Sequence, residues 1–277
     1  MNAFNETKNW IANSITVKCL IIGFIILMLL IPAQMIKSLI SERESLRDSV
    51  AGEIFSKWGN SQTISGPVVT VPYYWYSKED EKTVRHIDYA HFLPDELIIE
   101  SDVGTEIRYR GIYNVIVYNT RLRLHGRIPH PDFSVWKITE EDILWDEAFI
   151  SVGIPDMRGI KKGVNIMWNN ETSAVEPGIA NVRFLQSGVR STISMNEATA
   201  AGAYTFEVRL NLNGSESLNF VPAGKVTHVT MNSSWNNPSF DGAFLPEARD
   251  IRAEGFFAEW NILDLNRNYP QQWKGDA

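Results

Sequence analysis

From Cys19 to Ile36 the chain reads CLIIGFIILMLLIPAQMI, eighteen residues without a charge, flanked by Lys18 and Lys37. No other feature limits the fold as much. Wound as a helix at ~1.5 Å per residue, the run spans roughly 27 Å, enough to cross the hydrocarbon core of a bilayer. A secretory signal has a shorter apolar core and ends at a small-x-small site. Neither Ile31-Pro32-Ala33 nor Ala33-Gln34-Met35 supplies one, so the run is expected to remain as an anchor. Lys8 and Lys18 before it, and Lys37, Arg43 and Arg47 after it, leave the positive-inside balance even-handed. Length is the better guide, because a long following domain is translocated regardless of a few charges. The expected organisation is a cytoplasmic tail over residues 1–18, a transmembrane helix over 19–36, a helical stalk over 37–59 and an extracytoplasmic β-rich domain over 60–277.

The stalk rests on a continued helical pattern. Ile36, Ile40, Leu46, Val50, Ile54 and Trp58 fall mostly at four-residue spacing. Glu53 and Lys57 form a favourable i,i+4 pair, and Gly59-Asn60 is a stop signal. An apolar stripe on a helix usually marks packing on the chain's own domain, with a partner-binding helix as the alternative.

After Gly66-Pro67 the period becomes two. In Thr205–Leu212, Phe206, Val208, Leu210 and Leu212 alternate with Thr205, Glu207, Arg209 and Asn211. Asn213-Gly214-Ser215-Glu216 then leads to Leu218 and Phe220, which reads as a hairpin with the buried face continuing through both residues. Leu122, Leu124 and Ile128 likewise alternate with Arg121, Arg123 and Arg127. Further strands are expected over 68–76, 112–118, 148–154, 164–168, 226–231 and 256–260. Prolines 94, 129, 131, 155, 177, 222, 238 and 246 suit the loops and edges between them. Thr139 is expected to cap a short helix at Glu140-Glu141-Asp142. The fold class is thus mainly β: one N-terminal transmembrane helix and stalk, then an antiparallel β-rich domain.

Composition removes some function classes. The net charge of −7 argues against a nucleic-acid partner, which requires a basic face. Cys19 is the one cysteine, so no intrachain disulfide forms; Lys18 before it does not fit a lipoprotein signal, and a free thiol buried in the membrane is expected. The closest histidine pair, His125 and His130, is not spaced to face one metal, and His86, His91 and His228 are isolated. The acids Glu140, Glu141, Asp142, Asp146 and Glu147 lack the ligand spacing and turn glycine of a calcium loop. Ser151 or Ser194 with Lys161 or Lys162 would make a hydrolase dyad, but no nucleophile-elbow motif marks them. Gly153-Ile154-Pro155-Asp156-Met157-Arg158-Gly159 lacks the glycine spacing of a phosphate loop and reads as a turn closed by an Asp–Arg contact. Asn170, Asn213 and Asn232 begin glycosylation-type triplets, which arise readily by chance. The aromatic loop from Ser234 to Pro246 is expected to fold its rings down as a lid. No catalytic, cofactor-binding or metal residue is assigned.

An ordered set of segments resembles the CreD family of bacterial inner-membrane proteins. It comprises Gly66-Pro67, His91-Phe92-Leu93-Pro94, Arg110-Gly111-Ile112-Tyr113, Val152 through Ile160, Leu212-Asn213-Gly214-Ser215, Phe220-Val221-Pro222-Ala223-Gly224, the 235–246 stretch and Asp264-Leu265-Asn266-Arg267-Asn268-Tyr269-Pro270-Gln271. The resemblance implies a periplasmic domain and a non-enzymatic role in cell-envelope integrity and stress tolerance, and carries no catalytic residue or cofactor. Its partners would be the lipid bilayer, through the N-terminal helix, and an envelope protein of unknown identity. A sensory or ligand-binding ectodomain and a membrane-tethered hydrolase are the two alternatives. Family members continue into a bundle of transmembrane helices, so this chain is expected to be the front part of a longer polytopic protein.

Mass spectrometry of membrane-extracted protein is expected to recover the intact N-terminal region. A mature terminus beyond residue 33 would contradict the retained anchor.

Overall fold

The computed structural model describes residues 15–79, 82–179, 187–195 and 202–275; residues 1–14 of the expected tail lie outside them. The chain divides into two compact units, Met1–Glu53 and Ile54–Ala277. Helix α1 (Ile15–Trp58) runs for 44 residues with Pro32 in its interior. It is long and apolar enough to cross a membrane. Within the first unit, Ile36, Ile40 and Leu46 are exposed.

Fifteen strands follow among the described residues: β1 (Gln62–Glu79), β2 (Lys82–Phe92), β3 (Glu96–Arg110), β4 (Tyr113–Pro129), β5 (Phe149–Gly153), β6 (Ile160–Trp168), β7 (Glu171–Ser173), β8 (Glu176–Pro177), β9 (Gly188–Thr192), β10 (Ala203–Ser215), β11 (Leu218–Phe220), β12 (Val226–Ser233), β13 (Ala248–Arg252), β14 (Gly255–Leu263) and β15 (Gln272–Lys274). They form two sheets. A seven-stranded sheet has the order β15-β2-β1-β5-β9-β8, with β11 also on β1. An eight-stranded sheet has the order β13-β14-β12-β3-β4-β10-β6-β7. Pairing is antiparallel except for β1 with β11 and β12 with β3, which run parallel.

The register of the larger sheet explains its core. Trp260, Val229, Ile99, Leu124, Val208 and Ile166 lie directly opposite one another across six strands. One residue further along β12, β3 and β4 comes a row of Thr230, Glu100 and Arg123 on the other face. Successive strand residues point to opposite faces, so one row is apolar and its neighbour charged. The apolar rows join Val69, Val71, Phe92, Ile150 and Val152 of the smaller sheet in one buried cluster. Tyr204, fully buried, stacks on Trp168 at 5.0 Å between ring centres. Its hydroxyl donates to the Met195 carbonyl and accepts from His130 Nδ1 at 2.9 Å, so the ring is buried without an unmet polar group.

Most expected strands are present, several of them longer than their alternation suggested; the two expected over 112–118 and 121–128 are one continuous strand, β4, and β2, β3, β7, β8, β9, β13 and β15 are additional. Two local expectations are corrected. Asn213-Gly214 is not a hairpin turn, because β10 continues to Ser215 along β4, and β11 pairs in parallel with β1 instead. Gly214 is needed for space: a Cβ there would meet the Tyr118 hydroxyl at 2.3 Å. The chain turns at Glu216, whose φ is 58°. Leu218 and Phe220 are consequently only partly buried, packed against the rim of the core. Residues Glu140–Asp142 form a single 3-10 turn, and the Thr139 hydroxyl donates to Asp142 Oδ2 at 2.7 Å instead of capping a backbone amide. The 234–246 loop does fold an aromatic down, but onto β14 at one side of the larger sheet. Phe240 meets Phe256 and Trp260 edge-on at 5.5 and 5.7 Å.

Burial orders the mutational costs. Leu124→Ala, at a fully enclosed position, is expected to cost about 2–5 kcal/mol. Phe220→Ala is expected to cost about 1–2 kcal/mol, since only part of its area leaves water. Chemical denaturation of the 54–277 unit within the full chain measures both, and an equal or reversed order would contradict the assigned faces.

Candidate functional site

The solvent side of the larger sheet is a grid of charges and amides. Arg123 on β4 donates to Glu100 on β3 at 3.0 Å and to Glu207 on β10 at 3.0 Å, and Glu207 also pairs with Arg209. Arg127 meets Glu96 at 2.9 Å, and Arg121 meets Asp102 at 3.5 Å. Hydrogen bonding from Arg123, assisted by Arg209, holds the Glu207 carboxyl below the usual glutamate range. His125 sits in the same face, where burial and then the Arg123 charge push its imidazole below the ordinary histidine value. It is thus neutral at pH 7, and its 3.8 Å approach to Glu100 is not an ion pair under those conditions.

Toward one end of this face the ladder opens into a cleft of about 730 Å³. Asn232, Asp102, Arg121 and Asn211 form one cross-strand row of its floor, and Asn119 and Asn213 stand opposite each other in the next. Lys161 and Lys162 from β6 and Glu254 and Phe256 from the β13–β14 end complete the opposing sides. Asn213 is 3% exposed, and its amide nitrogen has no hydrogen-bond partner among the described residues. Buried amides are nearly always paired, so this donor is an opening for a ligand or solvent acceptor.

Beside the cleft lies the end of α1. Gly59 takes a φ of 143°, which stops the helix, and its amide donates to the Phe55 carbonyl at 2.8 Å. Asp156 and Arg158 form the expected contact, a two-pronged one at 2.8 and 2.7 Å. Arg158 also donates to the Ser56 carbonyl at 2.9 Å, satisfying one of the last helix acceptors, while Asp156 accepts from the Asn60 amide at 2.9 Å. Gln62 binds the Asp156 and Asn213 carbonyls at 3.0 and 3.2 Å. Trp58 donates to the Tyr118 carbonyl at 3.0 Å, and its ring carries Arg108 at 4.4 Å and Lys161 at 5.4 Å.

The groups singled out from the sequence are dispersed. Ser151 is wholly buried on β5 in the smaller sheet, Lys161 is exposed on β6 against Trp58, and Ser194 is exposed with its carbonyl accepting from Trp168. β5 and β6 belong to different sheets. His125 stays on the charged face, His130 turns to Tyr204, and His91 is buried against Thr70 and Trp273. Among the described residues no group of three or more His, Cys, Asp or Glu is placed to hold a metal. Glu140 and Asp142 accept from Trp145 and Tyr76 at 2.6 and 2.8 Å. The cleft row of Asp102, Arg121, Asn211 and Asn232 was not foreseen. Its only trace in the sequence is the polar half of the alternation, in Arg121, Arg209 and Asn211.

The Asp156–Arg158 contact has a pH signature. Its carboxyl is held below the usual aspartate value chiefly by the Arg158 hydrogen bond. The unfolded chain therefore binds the proton first, and the stabilisation is complete above about pH 4 and fades as pH falls through the lower folded value. Arg158→Ala is expected to lower the melting temperature at pH 7 by at least about 2 °C and to flatten the loss of stability below pH 4. An unchanged acid limb would contradict the assignment.

The model of the family described as Inner membrane protein CreD matches residues 14–277. The inner membrane protein CreD of Escherichia coli (strain K12) is 31% identical over 243 residues, covering 85% of this chain and 52% of that protein. The chain thus spans about half the length of the curated relative it matches. The match takes in the apolar helix and both sheets together, and the chain belongs to the CreD family of inner membrane proteins.

Proposed function

We propose that this protein supports cell-envelope integrity without catalysis, anchored by α1 and displaying its β domain in the periplasm. The observation that carries this reading is the broad, charge-balanced face of the larger sheet. Such a surface offers side chains for recognition and, among the described residues, places no nucleophile beside a base. Family membership supports the inner-membrane location, and the length of chain after the apolar run supports translocation of the domain. A ligand-binding ectodomain is the second reading, favoured by the cleft and the unpaired buried amide of Asn213. An envelope protein partner would meet the same face.

Two measurements test the proposal. In a Cys19→Ser background, Leu265→Cys introduces a single thiol at a position 89% exposed. A membrane-impermeant maleimide is expected to label it in spheroplasts, whereas labelling only after lysis overturns the periplasmic placement. A strain lacking the gene is expected to become sensitive to envelope-directed agents and to recover when the gene is returned. Unchanged sensitivity on deletion overturns the integrity role.

A further inference from the structure

We infer that the cleft on the larger sheet is a binding site for an acidic saccharide, an inference that rests on the ligand-binding reading. The cleft lies over β3, β4 and β10, interior strands whose backbone groups are committed to neighbours on both sides. A peptide therefore cannot add itself as a strand there, and recognition passes through side chains. Those side chains suit hydroxyl groups. Asn211 and Asn232 flank the Asp102–Arg121 pair in one row, with Asn119 and Asn213 behind it. Amides, a carboxylate and a guanidinium each offer two polar atoms in one plane, the arrangement that grips neighbouring hydroxyls in pairs. The buried Asn213 nitrogen supplies a donor that no protein group accepts among the described residues.

Charge selects an acidic member of that class. Arg121, Lys161 and Lys162 face Asp102 and Glu254, three cations against two anions in the lining. Asp102 is engaged by Arg121 at the long distance of 3.5 Å. Lys162 is exposed on the cleft wall, and Lys161 leans on the Trp58 ring at 5.4 Å. A ligand carboxylate has both ammonium groups within the same wall. The volume of about 730 Å³ falls in the ordinary range of a small-molecule site. Nucleic acid, the other polyanion with sugar rings, is disfavoured by the net charge of −7.

Titration calorimetry of the full chain in nanodiscs tests this with three probes: a tetragalacturonate, a neutral galactose tetrasaccharide and a tetraglutamate peptide. The tetragalacturonate is expected to bind saturably and at least about tenfold more tightly than either of the others. Lys162→Gln and Arg121→Gln, both at exposed side chains, are each expected to weaken it roughly tenfold without changing the melting temperature. Lys78→Gln, outside the cleft, is expected to leave it unchanged. Tighter binding of the peptide overturns the saccharide class while keeping the ligand-binding reading. Equal binding of the neutral sugar overturns the acidic requirement, and equal affinity of Lys162→Gln and the wild type overturns the site. No saturable heat from any probe up to about 10 mM overturns both the inference and the reading beneath it.

Discussion

Strand register is the constraint on which the domain depends. In the larger sheet the row through Val229, Ile99, Leu124 and Val208 is apolar, and the adjoining row through Thr230, Glu100 and Arg123 is polar. A slip of one residue in β4 would send Arg123 into the core and Leu124 into water. Burying an unpaired guanidinium costs several kcal/mol, so the apolar and charged faces enforce one pairing between them. The exposed ion pairs add little stability individually. Their contribution is to make the wrong registers expensive.

The same principle of shared positions governs the end of α1. Asn60 with Gln62, Asp156, and Asn213 come from three distant stretches of the chain and meet in one hydrogen-bonded knot. Arg158 completes it by closing on Ser56. Gly59 admits the Asn213 carbonyl, which would lie 2.6 Å from any Cβ at that position. The helix terminus is thereby provided with partners that a terminus otherwise takes from water. Lys161 touches both this knot, through Trp58, and the cleft wall. The end of α1 and the cleft wall therefore share one cation.

The exposed face of the larger sheet carries paired charges and amides. Ser151 is enclosed in the smaller sheet. The groups that do converge in the open are amides, guanidinium and ammonium groups and carboxylates, all competent to hold a polar ligand. His125 adds a neutral imidazole to the charged face, kept neutral by its burial and by Arg123.

The sequence by itself determined the apolar helix, because a bilayer demands an unbroken run of uncharged residues and Cys19–Ile36 is one. It determined the faces of β4 and β10 as well, because a half-buried strand must alternate. The Asp156–Arg158 contact was legible for a similar reason, being two residues long. β5 has no polar face to show, since it is buried throughout. β2 is exposed at its start and buried at its end, so no single alternation runs through it. Asn213-Gly214 carried a true local turn signal that tertiary structure overruled, because both residues continue the pairing of β10 with β4, and the glycine serves there to make room for the Tyr118 ring. The cleft was decided entirely at that level. Asp102, Arg121, Asn211 and Asn232 become one row only when β12, β3, β4 and β10 are laid side by side, and two of the three pairings join residues far apart in the chain, Arg121 with Asn211 and Asp102 with Asn232.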